Sequence, residues 1–272
     1  MPIIGLLRVK NEARWIERCV RAITPICEHV LVLDDKSTDG TAEICEAIPG
    51  VTVYRSETST CDESLDKDTL LTKAYELIPD EHKRGNPKSP WWGMLIDGDE
   101  ELMAEDQATV LAMAEDLDKY AYHVRIPYLW NDENSIRVDG VYSRMANVGR
   151  PSMFRLMNTN FRFMRTPFGN GQNFHCSSVP QEMLHHAQPS RARLKHWGYM
   201  HAEDRIRKWK WYNEKDSNNW SAEDCYRHVV QGDVPEVPAH WQQWQGPPME
   251  RVPDGYLKHA GPLRIEPLAS CS

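Results

Sequence analysis

Short apolar runs alternate with helix-like segments along the first 120 residues, and this alternation constrains the fold more than any other feature. The apolar runs cover residues 3–9, 29–35, 51–55 and 91–96. Helical periodicity follows each of them, over residues 12–23, 41–47, 66–78 and 105–117. Strands that read as unbroken apolar runs between helices are typical of a parallel sheet covered on both faces. The sequence therefore predicts an α/β fold with a mostly parallel central sheet flanked by helices.

The character of the sequence changes after Ala121. Residues 122–130 are typical of a strand, and residues 131–180 combine short strand-like pieces with Gly, Asn and Pro, without a long helical pattern. Residues 202–215 return to helical periodicity and carry several basic side chains. We predict one domain over residues 1–228. The remainder, 229–272, is a Pro- and Trp-rich tail in which we expect no regular secondary structure.

Composition excludes several classes of protein. The formal charge of −8 disfavours a general nucleic-acid coating protein. No apolar run approaches the roughly 20 residues that a membrane helix needs. The first residues lack the basic region and cleavage site of a signal peptide, and the seven cysteines show no CxxC spacing. We therefore expect a cytoplasmic protein with reduced thiols.

Polar residues follow three of the predicted strands at the point where each strand ends. Lys10–Glu12 follow the first, Asp34-Asp35 the second, and Asp97 and Asp99 the fourth. Ligands of open parallel sheets bind beyond the carboxyl ends of the strands. Asp97 and Asp99 are two residues apart, so on extended backbone they point the same way and favour a shared cation. Mg²⁺ or Mn²⁺, which also bind phosphates, suit such oxygen ligands. Each motif alone is more typical of a solvated turn or a helix cap than of a ligand site, and only their combination favours the site.

Three segments in this order resemble a known family. VKNEARWIERCV, VLVLDDKSTDGTAEI and LIDGDEEL are similar to the nucleotide-sugar-binding half of family 2 glycosyltransferases with the GT-A fold. The resemblance is strong over residues 3–105 and extends weakly to about residue 215. It implies a Rossmann-like GT-A sheet, with a nucleotide-sugar-binding half over residues 1–120 and a loop-rich acceptor-side half over residues 121–228.

The resemblance also implies roles for residues at the strand ends. Asp34 or Asp35 would accept hydrogen bonds from the base or ribose, and Asp97 would contact the ribose and a metal-bound water. Asp99 would coordinate a metal that bridges the diphosphate. The segment after the first strand would line the base through Val9, Lys10, Asn11 and Glu12.

Two further positions match the family pattern only in part. Asp66-Lys67 stands where the family has an Asp-Arg pair that binds the base or the diphosphate. Lysine cannot form the bidentate hydrogen bonds that arginine forms. Near the acceptor, relatives carry a His-Glu pair where this chain has His175-Cys176.

The acceptor-side half supplies the remaining candidates. An inverting transfer needs a base for the acceptor hydroxyl, and His175 and Glu182 are the candidates. The resemblance places His196 in the metal site, with His201 as the second choice. We expect the consecutive residues His185 and His186 to be exposed to solvent in a loop.

These features and the family resemblance predict a metal-dependent glycosyltransferase of hexosyl type, and the resemblance alone implies that it inverts the anomeric centre. The predicted donor is a nucleotide-sugar, with a UDP-sugar favoured, and the cofactor is Mn²⁺ or Mg²⁺. The acceptor is a carbohydrate or another hydroxyl compound. A modified base in DNA is an alternative acceptor, because residues 205–211 alternate basic and aromatic side chains. The pattern also fits a nucleotidyltransferase or a non-catalytic nucleotide-binding module, although residues 6–14 lack the glycines of a phosphate loop.

Overall fold

A computed structural model of the chain describes residues 1–56, 62–83, 89–157, 161–163, 176–215, 226–231, 233 and 264–268. The strands in these ranges are β1 Ile3–Val9, β2 His29–Asp34, β3 Val51–Arg55, β4 Trp92–Asp97, β5 Glu100–Leu102, β6 Ala121–Val124, β7 Leu129–Trp130, β8 Asp132–Arg137, β9 Arg150–Arg155, β10 Ala187–Gln188, β11 Leu194–His196 and β12 Ile265–Pro267. The α-helices are α1 Ile16–Ile23, α2 Thr41–Glu46, α3 Glu63–Leu77, α4 Asp80–Lys83, α5 Gln107–Glu115, α6 Gly140–Asn147 and α7 Ala202–Lys215. Within the described ranges, every helix is too short or too polar to cross a bilayer.

Seven strands form the central sheet in the order β10-β6-β9-β4-β1-β2-β3. β1 pairs in parallel with both β2 and β4, and β2 pairs in parallel with β3. β9 is antiparallel to its neighbours β4 and β6. The predicted α/β class with a mostly parallel sheet is therefore confirmed.

Each inner strand is apolar throughout because both faces of the sheet are covered. In β1, Ile3 and Leu7 join a core shared with α1, α2 and α5, whereas Ile4 and Leu6 join a second core shared with α3. Alternation of side chains along a strand places neighbours in opposite layers. Helix α1 covers the face of the sheet that carries Ile3 and Leu7. Its buried residues are Ile16, Cys19, Val20 and Ile23.

The structure corrects the bounds of two predicted elements. The predicted helix over 12–23 begins at Ile16, because the backbone before it is turned by hydrogen bonds to another loop. The predicted strand over 122–130 is two short strands, β6 and β7, which separate around Pro127. A proline has no N–H to donate to a neighbouring strand, so a continuous ladder is interrupted there.

Two elements in the C-terminal half were not predicted. Helix α6, which has eight residues, lies within residues 131–180, where the sequence showed strand-like pieces and no long helical pattern. In the tail, β12 pairs antiparallel with β8, matching Ile265 with Arg137. The expectation that the tail has no regular secondary structure is therefore wrong for these three residues. β12 lies at the edge of its small sheet, where a proline is tolerated.

Candidate active site

The carboxyl ends of four parallel strands lie side by side at one edge of the central sheet. Arg8 on β1 is in register with Asp97 on β4, Val9 with Asp34 on β2, and Asp34 with Arg55 on β3. The three polar segments singled out in the sequence leave the sheet at this common level. The register therefore brings them together, as expected for strands that run in the same direction.

The loop after β1 is bound to the loop after β2. The backbone N–H of Asn11 donates to Ser37 Oγ at 2.8 Å, and Asn11 Oδ1 accepts from the backbone N–H of Thr38 at 2.8 Å. Asn11 has a φ of +54°, a left-handed conformation that asparagine tolerates better than most residues. The two candidate base-binding loops thus form one hydrogen-bonded unit.

Asp35 and Asp66 are both bound by Arg8. Arg8 Nη2 lies 2.5 Å from Asp35 Oδ2, and Arg8 Nε lies 3.1 Å from Asp66 Oδ2. Lys10 Nζ is a second cation on Asp35, at 3.1 Å. Burial raises the pKa of Asp66, although Arg8 opposes this effect. Sequence reasoning missed Arg8, although a single arginine within an otherwise apolar strand was a signal for it.

Asp34 has an unused hydrogen-bond acceptor. Its side chain is 1% exposed, and its Oδ2 accepts from the backbone N–H of Ser37 at 3.1 Å. Asp34 Oδ1 is buried without a hydrogen-bond partner among the described residues. A buried acceptor is costly when unpaired, so a donor group from a ligand would be favourable here. Of the two neighbouring aspartates, Asp34 has the acceptor available and Asp35 is already paired.

The segment Asp97–Asp99 contacts the loop after β1. A Cβ on Gly98 would lie 3.0 Å from Val9 Cγ1 and 3.1 Å from Glu12 Cγ, so the two segments touch at this glycine. Asp97 and Asp99 have different surroundings. The side chain of Asp97 is 46% exposed and that of Asp99 only 4%. Asp97 is therefore the more accessible to a ligand, whereas the buried Asp99 depends more on its hydrogen-bond and ion-pair partners.

Arg150 on β9 holds the first of these aspartates. Its two terminal nitrogens lie 2.9 and 2.8 Å from the two carboxylate oxygens of Glu100, which is fully buried. Arg150 Nη1 is also 3.2 Å from Asp97 Oδ2. Burial opposes the charge of Arg150, but Asp97 and Glu100 outweigh it and raise the pKa of this guanidinium. The arginine is therefore charged, and it fixes the position of Asp97.

His196 lies next to Asp99. Strand β11 pairs antiparallel with β5 and sets His196 opposite Glu100, and His196 Nε2 is 3.5 Å from Asp99 Oδ2. The imidazole stacks on Tyr128 with 4.2 Å between ring centroids. Burial lowers the pKa of His196 to about 4, against the attraction of Asp99. The ring is neutral at pH 7, which is the form that binds metals.

The pair Asp99 and His196 fits two ligands of a divalent cation. Two atoms that each lie about 2.1 Å from one ion are separated by roughly 3–3.5 Å, and Oδ2 and Nε2 are 3.5 Å apart. Among the described residues, no group of three or more His, Cys, Asp or Glu is arranged to hold a metal. The predicted third ligand, Asp97, faces Arg150 instead. Any remaining ligands would come from a bound diphosphate or water.

Lys208 on α7 contacts the same aspartate. Its Nζ is hydrogen-bonded to Asp99 Oδ2 and lies 3.3 Å from Glu12 Oε1. Burial lowers the pKa of Lys208, but the two carboxylates outweigh burial and raise it, so the side chain is charged. The sequence indicated only a basic helix here. Of the four basic residues within 205–211, Arg205 and Lys208 are buried, and Arg207 and Lys210 are exposed.

The remaining predicted residues lie outside this cluster or outside the described residues. Lys67 is buried, with its Nζ 3.4 Å from the carbonyl oxygens of Cys176 and Ser177. Glu182 is exposed and accepts from the backbone N–H of Arg162 at 3.4 Å. His175 falls outside the residues that the structure describes. His201 stacks on Trp15, and His185-His186 are exposed.

Gly198 provides space for the Asp99 cluster. A Cβ at this position would lie 1.9 Å from Asp99 Oδ2 and 2.6 Å from Lys208 Nζ. We expect Gly198→Ala to lower the free energy of unfolding by about 1–3 kcal/mol, because both partners must move. Urea denaturation measures this change. Gly50→Ala is the control, since its Cβ would meet only Thr24 at 3.9 Å and the cost there comes from its positive φ alone. Unchanged stability for Gly198→Ala would show that the cluster is arranged differently.

Comparison with known protein families identifies the N-terminal strands and loops of this site. Residues 7–60 match the model of the family described as glycosyl transferase family 2. The predicted resemblance to family 2 glycosyltransferases is confirmed over these residues. This family 2 segment begins within β1 and contains β2 and β3, and so includes Asn11, Asp34 and Asp35.

Relatives of known sequence or structure are distant. An uncharacterized glycosyltransferase of Rickettsia bellii (strain RML369-C) is 23% identical over 160 residues, which is 58% of this chain and 49% of that protein. This chain thus spans about half the length of the curated relative. S. aureus TarS (residues 1–349) is 13% identical, with a TM-score of 0.46 over 85% of this chain and 69% of that one. Glucosyl-3-phosphoglycerate synthase from Mycobacterium tuberculosis, solved with Mn²⁺, UDP and glucosyl-3-phosphoglycerate, is 20% identical, with a TM-score of 0.32 over 47% and 44% of the two chains.

Proposed function

We propose that this protein is a glycosyltransferase that moves a sugar from a nucleotide-sugar, with a UDP-sugar as the favoured donor, to a hydroxyl acceptor. One observation carries the proposal. The loops of the family 2 segment meet Asp97–Asp99 at a single edge of the sheet, where Glu12 and Asp99 share the ammonium of Lys208. We further propose that residues 1–228 form the catalytic domain.

The nucleotide base would bind in the crevice beyond β1 and β2. There, the buried Oδ1 of Asp34 would accept a hydrogen bond from the base or ribose. The bound pair of loops would supply the walls through Val9, Lys10, Asn11 and Glu12. Arg8 keeps Asp35 and Asp66 in place, so their role in this proposal is to shape the pocket.

Asp99 and His196 would hold Mn²⁺ or Mg²⁺, and Asp97 would face the ribose. When bound, such an ion stabilises the charge that develops on a diphosphate leaving group. Arg150 orients Asp97 and adds a fixed positive charge at the same edge. Lys67 would affect the site indirectly. Its Nζ binds the carbonyl oxygens of Cys176 and Ser177, which follow the candidate base His175 along the chain.

A direct displacement that inverts the anomeric centre completes the proposal, on the basis of the family resemblance. Such a step needs a base to accept the proton of the acceptor hydroxyl. His175 and Glu182 are the proposed candidates, and the exposure of Glu182 leaves it accessible to an acceptor. NMR of the product anomer would test the stereochemistry. A product that retains the donor configuration would reject this part.

The test of the donor proposal is a thermal-shift panel of UDP, ADP, GDP and CDP, with and without Mn²⁺. We expect the largest stabilisation from UDP in the presence of Mn²⁺, and release of UDP from at least one UDP-sugar. UDP binding without any release would favour a non-catalytic binding module. No shift with any nucleotide would reject the proposed function.

Asp34→Ala is the matched variant for this panel. We expect it to abolish most of the UDP shift, because the buried acceptor is lost. Asp118→Ala, an exposed aspartate before β6, is the control and should respond as the wild type does. A separate gel shift with duplex DNA tests the alternative acceptor, and binding there would favour a modified DNA base.

A further inference from the structure

Lys208 is a buried cation whose position the proposed function does not explain. Its residue is 9% exposed, and its ammonium group lies between the carboxylates of Asp99 and Glu12. Helix α7 delivers it from 109 residues beyond Asp99 along the chain. Gly198 leaves the space, because a Cβ there would lie 2.6 Å from the ammonium nitrogen. The backbone at Gly198 and the carboxylates of Asp99 and Glu12 therefore enclose a site for one positive charge.

The position of the Lys208 ammonium group overlaps the position at which Asp99 would bind a metal. Lys208 Nζ and His196 Nε2 approach the same oxygen, Asp99 Oδ2, and the histidine nitrogen is 3.5 Å from it. A divalent ion held by Asp99 Oδ2 and His196 Nε2 would therefore be next to the ammonium. Two adjacent cations repel strongly in a site with little water. The lysine and the ion cannot share this oxygen in the arrangement seen here.

We propose that the Lys208 ammonium occupies the cation site of the resting protein as a tethered counter-ion, and that a divalent metal must displace it from Asp99. This inference rests on the proposed function, because it concerns the cation site of that function. It makes Lys208 a regulator of metal affinity. A metal would bind weakly to the free protein, since it first has to break the bond between Lys208 and Asp99.

Glu12 provides a place for the displaced side chain. Its Oε1 is already 3.3 Å from Lys208 Nζ, and its Oε2 is buried without a hydrogen-bond partner among the described residues. Lysine has a flexible stem with three donors on one nitrogen, so a small rotation can transfer it from Asp99 to Glu12. When a nucleotide is also bound, the displaced ammonium would face the diphosphate. Nucleotide and metal should therefore strengthen each other's binding, because the diphosphate brings the negative charge that both cations need.

Direct Mn²⁺ binding to the full chain, without nucleotide, tests the inference. Electron paramagnetic resonance of free Mn²⁺ gives the affinity of the wild type and of Lys208→Gln, in which an amide still donates to Asp99. We expect Lys208→Gln to bind Mn²⁺ at least tenfold more tightly than the wild type. Lys210→Gln, which removes an exposed lysine of the same helix, should leave the affinity unchanged.

Every outcome of this titration decides the question. Tighter binding by Lys208→Gln supports the inference, including the case in which the wild type shows no binding at all. Equal affinities or weaker binding by Lys208→Gln overturn it, and so does the absence of binding by both proteins. Lys208→Met, which also removes the charge, repeats the test if the glutamine variant does not fold.

A second measurement uses the wild type alone. Acetylation of lysines followed by mass spectrometry reports how accessible each ammonium group is. We expect Lys208 to react several-fold faster over the range in which Mn²⁺ binds, with Lys210 unchanged. A Lys208 rate that stays constant as Mn²⁺ binds overturns the inference. Neither measurement contains UDP or a sugar, so a failure to bind UDP would reject the proposed function and leave this result standing.

Discussion

We expect Asp99→Asn to lower the rate of sugar transfer, or of UDP release from a UDP-sugar, by about 10²–10³-fold or more. Burial acts to raise the pKa of Asp99, but His196 and Lys208 outweigh it and hold that pKa below its usual value. The carboxylate is therefore charged at pH 7. Asparagine keeps the shape and removes the charge that a cation on the diphosphate requires. Steady-state kinetics with the donor found in the nucleotide panel would measure the loss.

The control for this variant must separate lost chemistry from lost structure. Asp99→Asn leaves Lys208 with Glu12 as its remaining carboxylate, so we expect a stability loss of about 1–3 kcal/mol. Assays should be run well below the melting temperature, with folding verified by circular dichroism. Asp118→Asn, at an exposed position, should retain full activity. Wild-type rates for Asp99→Asn would remove this carboxylate from the proposed mechanism.

The sheet was predictable because its inner strands are buried on both faces. Ile3–Val9 and His29–Asp34 carry apolar residues at every position except a few, and alternate side chains of β1 enter different cores. Parallel strands bring their carboxyl ends to one edge, so the position of Asp34 and the Asp97 segment on either side of the end of β1 followed from topology. This reasoning needs only local pattern and strand direction.

The partners of the acidic residues were not predictable in the same way. Arg150 lies 50 residues beyond Glu100, and Lys208 lies 109 residues beyond Asp99. Periodicity describes one element at a time and does not state which element packs against which. The apolar run of β9 predicts a strand, but it does not indicate an antiparallel position between β4 and β6. That insertion brings Arg150 to the candidate site.

We expect Arg150→Met to lower the free energy of unfolding by about 3–5 kcal/mol, the usual cost of removing one partner of a buried ion pair. Glu100 is fully buried, and it would lose both hydrogen bonds from the guanidinium. The Met side chain fills similar space without donating. Urea denaturation at pH 9, where Glu100 is ionised, measures the loss, and Arg21→Met, which breaks an exposed pair with Glu17, should cost at most about 1 kcal/mol.

The pH dependence of this variant identifies the cause of its instability. Burial raises the pKa of Glu100 even with Arg150 present, so without the arginine the folded protein should take up a proton that the unfolded chain does not. Burial with Arg150 in place raises the pKa of Glu100 to about 8, so below that pH both folded proteins carry the proton and the charge-dependent deficit of Arg150→Met is small. The deficit should therefore be largest at pH 9 and shrink as the pH falls to 7, and Arg150→Met combined with Glu100→Gln should recover most of the loss at pH 9, because no buried charge remains. A deficit that is equal at both pH values and persists in the double variant would mean that packing of the arginine stem, and not its charge, stabilises this edge of the sheet.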